Sequence, residues 1–199
     1  MSFRKIDSYN NIFITADLHL SYIPNRSIQN RGFGSNPIEH TRIIRNNINS
    51  VCKSPSDILI LNGDCGDPEI LKVFLKEITP KNIWICLGNH DKRKELHNLF
   101  QYKLLSRLEE NIYIKWRDNK FHICHYPLLE WNGMYHDNGG AYHWYGHTHN
   151  KIEPYLRSMD CGLDAHLLKP VSLELIVEKR KVFRNVDENH IKLKQGLVI

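Results

Sequence analysis

The chain has 199 residues, of which 41% are hydrophobic and 25% charged, a globular profile long enough for one sizeable core. Its formal net charge of +5 is compatible with anionic substrates but too small to require a nucleic-acid partner. No run approaches about 20 uncharged apolar residues, the N-terminus lacks the apolar stretch of a signal peptide, and the five cysteines are scattered, so we predict a cytoplasmic chain with reduced thiols and no membrane span.

The first predicted strand covers residues 11–16 and leads directly into Asp17 and His19. Residues two apart on an extended segment point to the same side, so these two side chains could converge on one metal ion. The alternative is an ordinary strand end with two solvated polar groups.

The segment 21–39 contains two glycines and two prolines, shows little periodicity, and is predicted to be a long loop. Loops of this length in a compact domain are usually functional or disordered. Arg26 and Arg31 in this loop are predicted contacts for an anionic substrate, with ordinary solvated charges as the alternative.

The sequence then alternates helices and strands. Asn36 and Pro37 begin a helix as cap and first-turn residue. A second strand is predicted at 57–61 and is followed by Asn62-Gly63-Asp64. A helix begins at Asp67-Pro68. A third strand, at 83–86, precedes Gly88-Asn89-His90-Asp91. Residues 92–108 are predicted to be helical.

The second half is richer in strands. Residues 112–116 and 121–124 are predicted to form a hairpin through Asp118-Asn119 that ends at His125. A strand at 141–145 ends at Gly146-His147-Thr148-His149, and 152–157 and 173–177 are further predicted strands. We expect a single domain over 1–199, with a core at about 11–177 and a charged C-terminal extension at 178–199.

Five predicted strands therefore end in oxygen or imidazole side chains, with no cysteine among them. Such a set suits Mn²⁺, Zn²⁺, Fe or Ni²⁺ better than a structural cysteine zinc site. Seven groups are too many for one ion, so the sequence predicts two metals with a central carboxylate as bridge. The predicted ligands are Asp17, His19, Asp64, Asn89, His125, His147 and His149.

These motifs resemble, in order, those of the calcineurin-like metallophosphoesterases, most closely the small single-domain type of bacteria and phages. The family pattern D-x-H, G-D, G-N-H-[DE], H and G-H-x-H occurs here as Asp17-Leu18-His19, Gly63-Asp64, Gly88-Asn89-His90-Asp91, His125 and Gly146-His147-Thr148-His149. The resemblance implies an α/β fold, a four-layer α/β/β/α β-sandwich flanked by helices.

The resemblance also implies a role for each matching position. One metal would be held by Asp17, His19, Asp64 and His149, and the second by Asp64, Asn89, His125 and His147, with Mn²⁺ favoured over Zn²⁺, Fe or Ni²⁺. His90 would be the catalytic histidine that faces the phosphate, and Asp91 would orient it.

The implied activity is dinuclear-metal-dependent hydrolysis of phosphoester bonds, as a phosphodiesterase or phosphatase acting on a nucleotide-like or other small phosphoester. A nuclease or a phosphatase of nucleic-acid ends is an alternative that rests on Arg26, Arg31 and the basic tail. A catalytically silent binding scaffold is disfavoured, because no ligand and no catalytic histidine has been lost. The sequence does not determine the oligomeric state.

Overall fold

The computed structural model describes residues 2–7, 11–135, 140–175 and 177–178, and it arranges them as two five-stranded sheets with helices. The strands are β1 (Arg4–Lys5), β2 (Ile12–Thr15), β3 (Ile58–Asn62), β4 (Asn82–Cys86), β5 (Arg107–Glu109), β6 (Asn111–Trp116), β7 (Asn119–Cys124), β8 (Ala141–Tyr145), β9 (Ser158–Asp160) and β10 (Val171–Ser172). The helices are α1 (Arg26–Ile28), followed by a wide turn at Gln29–Phe33, α2 (Pro37–Val51), α3 (Pro68–Glu77), α4 (Arg93–Gln101) and a short 3₁₀ turn at Leu163–Ala165.

The order of the strands brings several carboxyl ends to one edge of the molecule. The first sheet has the order β1-β6-β7-β8-β9 and the second the order β10-β2-β3-β4-β5. Strands β2, β3, β4 and β5 pair with one another in parallel, as do β7, β8 and β9. The residues that follow parallel strands lie along the same edge, which is where sheets of this kind bind ligands.

The core has two layers, one on each face of the second sheet. In β3, Ile58 and Ile60 face the first sheet, whereas Leu59 and Leu61 face the helices. This alternation, with both faces buried, explains why the strand is apolar throughout. The helical layer is completed by residues such as Ile44, Ile48, Leu71, Phe74, Leu96 and Leu99.

The predicted sandwich flanked by helices is confirmed. Helices α2, α3 and α4 cover the outer face of the second sheet with their apolar residues. On the first sheet, Trp131 and Met134 of an irregular segment pack against Ala141. No helix in the described part of the chain is both long and apolar enough to span a membrane.

Three predicted elements were wrong. The helix predicted at 92–108 ends at Gln101, because Lys103 has a left-handed backbone (φ 59°). The amide of Ser106 then donates to the carbonyl of Ile83, and the pairing of β5 with β4 begins there. The strand predicted at 152–157 lies instead at 158–160. The strand predicted at 173–177 is replaced by Val171–Ser172, which pairs with β2, and residues 173–175 are helical.

Smaller differences concern turns and termini. The loop 21–39 contains helical turns, and the helix predicted from Asn36 is confirmed, since the Asn36 side chain accepts a hydrogen bond from the amide of Glu39. The hairpin turns through Arg117 and Asp118, both with positive φ. Strand β1 was not predicted, and residues 179–199 of the predicted extension lie outside the described residues.

His143 is a buried histidine away from the predicted metal ligands. It lies on β8, and its Nδ1 is 3.1 Å from the carbonyl of His122, while its Nε2 accepts a hydrogen bond from the amide of Leu128. Burial lowers the pKa of His143 to about 4, although the carbonyls of His122 and Tyr126 act to raise it. The ring therefore ties the irregular outer segment to the sheet as a neutral group.

We predict that stability falls as the pH is lowered through the range 6.5 to 4 and that His143 contributes to the fall. In that range the unfolded chain binds a proton at this imidazole, whose ordinary pKa is 6.5, whereas the folded chain does not, so protonation favours unfolding. One pKa unit corresponds to about 1.4 kcal/mol, so this group should account for about 2 to 3 kcal/mol between pH 7.5 and 4.5. Urea unfolding of His143→Gln should show a correspondingly flatter pH dependence. The exposed His97→Gln variant serves as control and should keep the wild-type slope.

Candidate metal centre

The predicted ligands after β2 and β3 are held by backbone pairing that continues past the strands. The amide of Asp17 donates to the carbonyl of Gly63 at 3.0 Å, and the amide of His19 donates to the carbonyl of Asp64 at 2.9 Å. In the first sheet the amide of Gly146 donates to the carbonyl of His125 at 2.9 Å. The turns that carry the ligands are therefore extensions of the sheets and share their rigidity.

Asn62 joins the two sheets directly beneath these turns. Its buried side-chain amide donates to the carbonyls of Cys124 and Trp144, both at 3.1 Å, at the ends of β7 and β8. The backbone carbonyl of Asn62 lies 2.8 Å from Nδ1 of His125. One residue of β3 thus fixes the spacing of the sheets and the orientation of a predicted ligand.

Gly63 and Gly88 allow the turns to approach one another. A Cβ atom at Gly63, which has φ +87°, would lie 2.3 Å from Nδ1 of His125, and one at Gly88 would lie 2.3 Å from the Asp64 carboxylate. Any larger residue would displace a predicted ligand.

The predicted ligands adopt an unusual backbone conformation. Five of the seven have positive φ, between 48° and 66°, a region that costs non-glycine residues on the order of 1 kcal/mol or more. Such strain persists only where the surrounding structure enforces it, and it clusters at functional sites. The five are Asp17, His19, Asp64, His147 and His149.

A first cluster consists of Asp17, His19 and His149. The Nε2 atoms of His19 and His149 are 3.3 Å apart, close to the separation of two nitrogens that bind one ion at about 2.1 Å. The Asp17 carboxylate lies 3.9 Å and 4.0 Å from these two nitrogens. It is also fixed in place, since it accepts a hydrogen bond from the amide of His147.

A second cluster consists of Asp64, His125 and His147, and Asn89 lies among them. The Asn89 side-chain oxygen is 3.1 Å from Nε2 of His125 and 2.9 Å from Nδ1 of His147. Asp64 also lies beside the first cluster, because the same carboxylate oxygen is 3.3 Å from His125 Nε2 and 3.9 Å from His19 Nε2. All seven predicted ligands are therefore brought together, with Asp64 in the middle.

The electrostatics of the centre favour a bound cation. Burial raises the pKa of Asp17 to about 7, although His125 and His149 act to lower it, so its negative charge is poorly stabilised by the protein alone. Burial lowers the pKa of His19 to about 4, which keeps this ring neutral and able to ligate. Burial also acts on Asp64 and His125, but their mutual hydrogen bond, their opposite charges and backbone hydrogen bonds together outweigh it, so the pKa of Asp64 is lowered and that of His125 is raised.

Arg31, a predicted substrate contact, is instead part of the framework. Its side chain is only 2% exposed and forms a two-pronged ion pair with Asp164, with N–O distances of 2.8 Å and 2.7 Å. It also donates to the carbonyls of Asp17 and Leu18. With its donors occupied in this way, Arg31 anchors the loop to the first cluster, and its contact with substrate stays a prediction.

Asp164, which pairs with Arg31, also orients the ring of His149. Its carboxylate accepts a hydrogen bond from His149 Nδ1 at 2.7 Å, which leaves Nε2 free to bind a metal. Burial acts to raise the pKa of Asp164, but the hydrogen bonds from Arg31 and His149 hold it well below its usual range.

Asp91 also differs from the prediction. Its carboxylate accepts hydrogen bonds from the amides of Asp64, Cys65 and Gly88, at 2.8–3.0 Å, rather than from the His90 imidazole. Asp91 therefore stabilises the two turns, whereas His90 itself is exposed, with its ring centroid 5.8 Å from that of His19.

An open groove of about 660 Å³ extends from the first cluster. His19, His90 and His149 are among the residues that line it. Arg26 and Lys151 also line it, so the predicted contact Arg26 does face the site.

A model of the calcineurin-like phosphoesterase superfamily domain matches residues 11–162. The chain belongs to this superfamily. The matched range contains all seven predicted ligands together with His90. No curated protein matches the chain.

Two solved structures share the fold of this family member. One is a protein of unknown function from Aquifex aeolicus, which is 18% identical, with a TM-score of 0.61 over 85% of this chain and 98% of the other. The second is described as a novel archaeal phosphodiesterase and is 21% identical, with a TM-score of 0.52 over 76% of this chain and 83% of the other. At these identities the similarity establishes the fold alone.

Asn62 and Asp164 hold predicted ligands in place, and no role was predicted for either of them. Asn62 is polar at the end of an apolar strand, and that contrast is a usable signal for a buried hydrogen-bonding role. Asp164 lies 133 residues from its partner Arg31, and nothing local in the sequence indicates the pairing.

We predict that Asp164→Asn weakens metal binding at the first cluster by about 10- to 100-fold, because His149 loses the carboxylate that fixes its ring. Titration of the protein with Mn²⁺ in a calorimeter should show one weakened and one unchanged site. Asp118→Asn, on an exposed turn, is the matched control and should bind as the wild type does. Wild-type affinity at both sites in Asp164→Asn would contradict the assigned role.

Proposed function

We propose that this protein is a dinuclear-metal-dependent phosphoesterase that hydrolyses a nucleotide-like or other small phosphoester. The observation that carries the proposal is the position of Asp64, whose carboxylate contacts the imidazoles of two separate ligand clusters. A bridging carboxylate between two sets of nitrogen and oxygen donors is what a two-metal hydrolytic site requires.

The donor set fits divalent ions of borderline character, and we favour Mn²⁺ over Zn²⁺, Fe or Ni²⁺. The first ion would be held by Asp17, His19, Asp64 and His149, and the second by Asp64, Asn89, His125 and His147. When bound, such ions neutralise phosphate charge and make a water nucleophilic near neutral pH.

The residues around the centre have distinct tasks in this proposal. His90 is exposed and lines the groove, where an imidazole can donate a hydrogen bond to the phosphate and a proton to the leaving alkoxide. Asp91 fixes the position of the turn that carries His90, because its carboxylate accepts hydrogen bonds from backbone amides of the neighbouring turn. Asp164 and Arg31 hold His149 and the loop in place.

A nuclease or nucleic-acid-end phosphatase is the second candidate, favoured by the positively charged groove that Arg26 and Lys151 line. Salt separates the two candidates, because binding of a polynucleotide weakens steeply with salt whereas turnover of a small phosphoester does not.

We predict different effects for His90→Ala and Asp64→Asn. His90→Ala should retain two metal ions and lose about 10²- to 10⁴-fold in kcat, the usual contribution of a positioned acid. Asp64→Asn should lose both activity and metal, because the two clusters share this carboxylate. Metal analysis and hydrolysis of bis-p-nitrophenyl phosphate, p-nitrophenyl phosphate and cyclic nucleotides, with Mn²⁺, Ni²⁺, Zn²⁺ or Mg²⁺, provide the measurements.

His97→Ala, on the exposed side of α4, is the matched control and should leave both properties unchanged. The role assignment fails if His90→Ala loses metal while Asp64→Asn keeps two ions. Absence of turnover for every substrate in a fully metal-loaded protein would favour the silent scaffold.

A further inference from the structure

We infer that Arg26 and Lys151 form a subsite for a second phosphate group, so that the protein prefers phosphoesters in which a nucleoside carries another phosphate beyond the one that is cleaved. The inference rests on the proposed function and specifies its substrate class.

The subsite lies in the groove that begins at the first metal cluster. The volume of about 660 Å³ is within the range of ligand pockets and leaves room for more than one phosphate group. Because His19, His90 and His149 line the same groove as Arg26 and Lys151, a phosphoester bound at the metal centre would place the rest of its molecule in the space that these two cations line.

These two cations have no acidic partner in the part of the chain that the structure describes. Among the described residues, Arg26 and Lys151 make no ion pair, whereas the surface arginines Arg42, Arg45, Arg93 and Arg107 each pair with a glutamate. A guanidinium and an ammonium on one groove, both unpaired, match the charge of phosphate.

Arg26 is attached to a fixed segment. The side chain of the preceding residue, Asn25, accepts a hydrogen bond from the amide of Ile28 and donates to the carbonyl of His19. Ile28 is buried, and Arg31 holds the following turn to Asp164. The backbone of Arg26 is therefore positioned relative to a predicted metal ligand before any substrate binds.

Lys151 is fixed from the opposite sheet. It follows His149 by two residues, and its amide donates to the carbonyl of Thr148 at 3.1 Å. The amide of Asn150 and the hydroxyl of Thr148 both donate to the buried carboxylate of Asp160. The two cations thus stand on separate rigid turns at one end of the metal centre.

The groove keeps a positive character because its acidic group is already neutralised. Among the described residues that line it, Asp164 is the one carboxylate, and it is paired with Arg31 and His149. Ser27 and Asn30 add neutral hydrogen-bonding groups, which suit the sugar hydroxyls or base edges of a nucleoside between two phosphates.

The test uses a pair of substrates with the same scissile bond. The p-nitrophenyl ester of thymidine 5′-phosphate and its 3′-phosphorylated form both release p-nitrophenolate, and they differ only in the second phosphate. For the metal-loaded wild type, kcat/KM should be at least about tenfold higher for the 3′-phosphorylated ester, the gain expected from charge-assisted hydrogen bonds to phosphate.

Arg26→Gln and Lys151→Gln should each remove most of that preference, because they should lower kcat/KM for the 3′-phosphorylated ester much more than for the ester with one phosphate. Arg26→Lys, which keeps the charge, should retain part of it. Lys76→Gln removes a charge from the exposed last turn of α3, outside the groove, and should keep the full preference.

Binding provides a readout that does not depend on turnover. Thymidine 3′,5′-bisphosphate should bind the wild type more tightly than thymidine 5′-phosphate, and the two Gln variants should abolish the difference. Equal affinity of the wild type for both nucleotides, or an equal loss for both in the variants, overturns the subsite. Lack of hydrolysis together with preserved preferential binding would overturn the proposed function and leave the subsite standing.

The second phosphate could belong to a small bisphosphate or to a nucleic-acid strand. If the protein acts on strands, kcat/KM should be higher for a longer oligothymidylate than for a dinucleotide, and it should fall steeply as the salt concentration rises. If kcat/KM does not increase beyond the second phosphate, the substrate is a small bisphosphate.

Discussion

The buried side-chain amide of Asn62 is the interaction on which the candidate metal centre depends. Its two N–H groups donate to carbonyls of the opposite sheet, and the backbone carbonyl of the same residue orients the ring of His125. Loss of such a group would leave buried acceptors without partners, which costs about 1–3 kcal/mol for each. It would also remove the contact that sets the spacing between the turns of the two sheets.

The fixed spacing between the two sheets explains the backbone strain in the turns that carry the predicted ligands. Asp17, Asp64 and His147 must leave their strands and turn back toward a common point within one or two residues, and the left-handed backbone achieves this. The Asp91 carboxylate compensates at the Asp64 turn, where it accepts hydrogen bonds from the amides of Asp64 and Cys65, and it also binds the amide of Gly88. Sheet contacts and side-chain hydrogen bonds therefore maintain a geometry that the isolated segments would not adopt.

Much of this arrangement could be predicted, because it depends on local patterns. Apolar runs that stop at glycine revealed the strand ends, and the ligand types followed from the residues present. The tasks of Asp91 and Arg31 could not be predicted in this way, since both depend on partners distant in sequence, such as Asp64 and Asp164. Residues 152–157 were mistaken for a strand because apolar residues occur there, although Pro154 interrupts them and Leu156 has a positive φ.

The composition of the two clusters has a consequence for the whole molecule. The first cluster takes Asp17 and His19 from the second sheet and His149 from the first, and the second takes Asp64 from the second sheet and His125 and His147 from the first. Each ion would therefore act as a cross-link between the two halves of the sandwich. A ligand that binds only the folded state stabilises that state in proportion to the logarithm of the ligand concentration. The supply of metal would therefore set the resistance of this protein to unfolding as well as its activity.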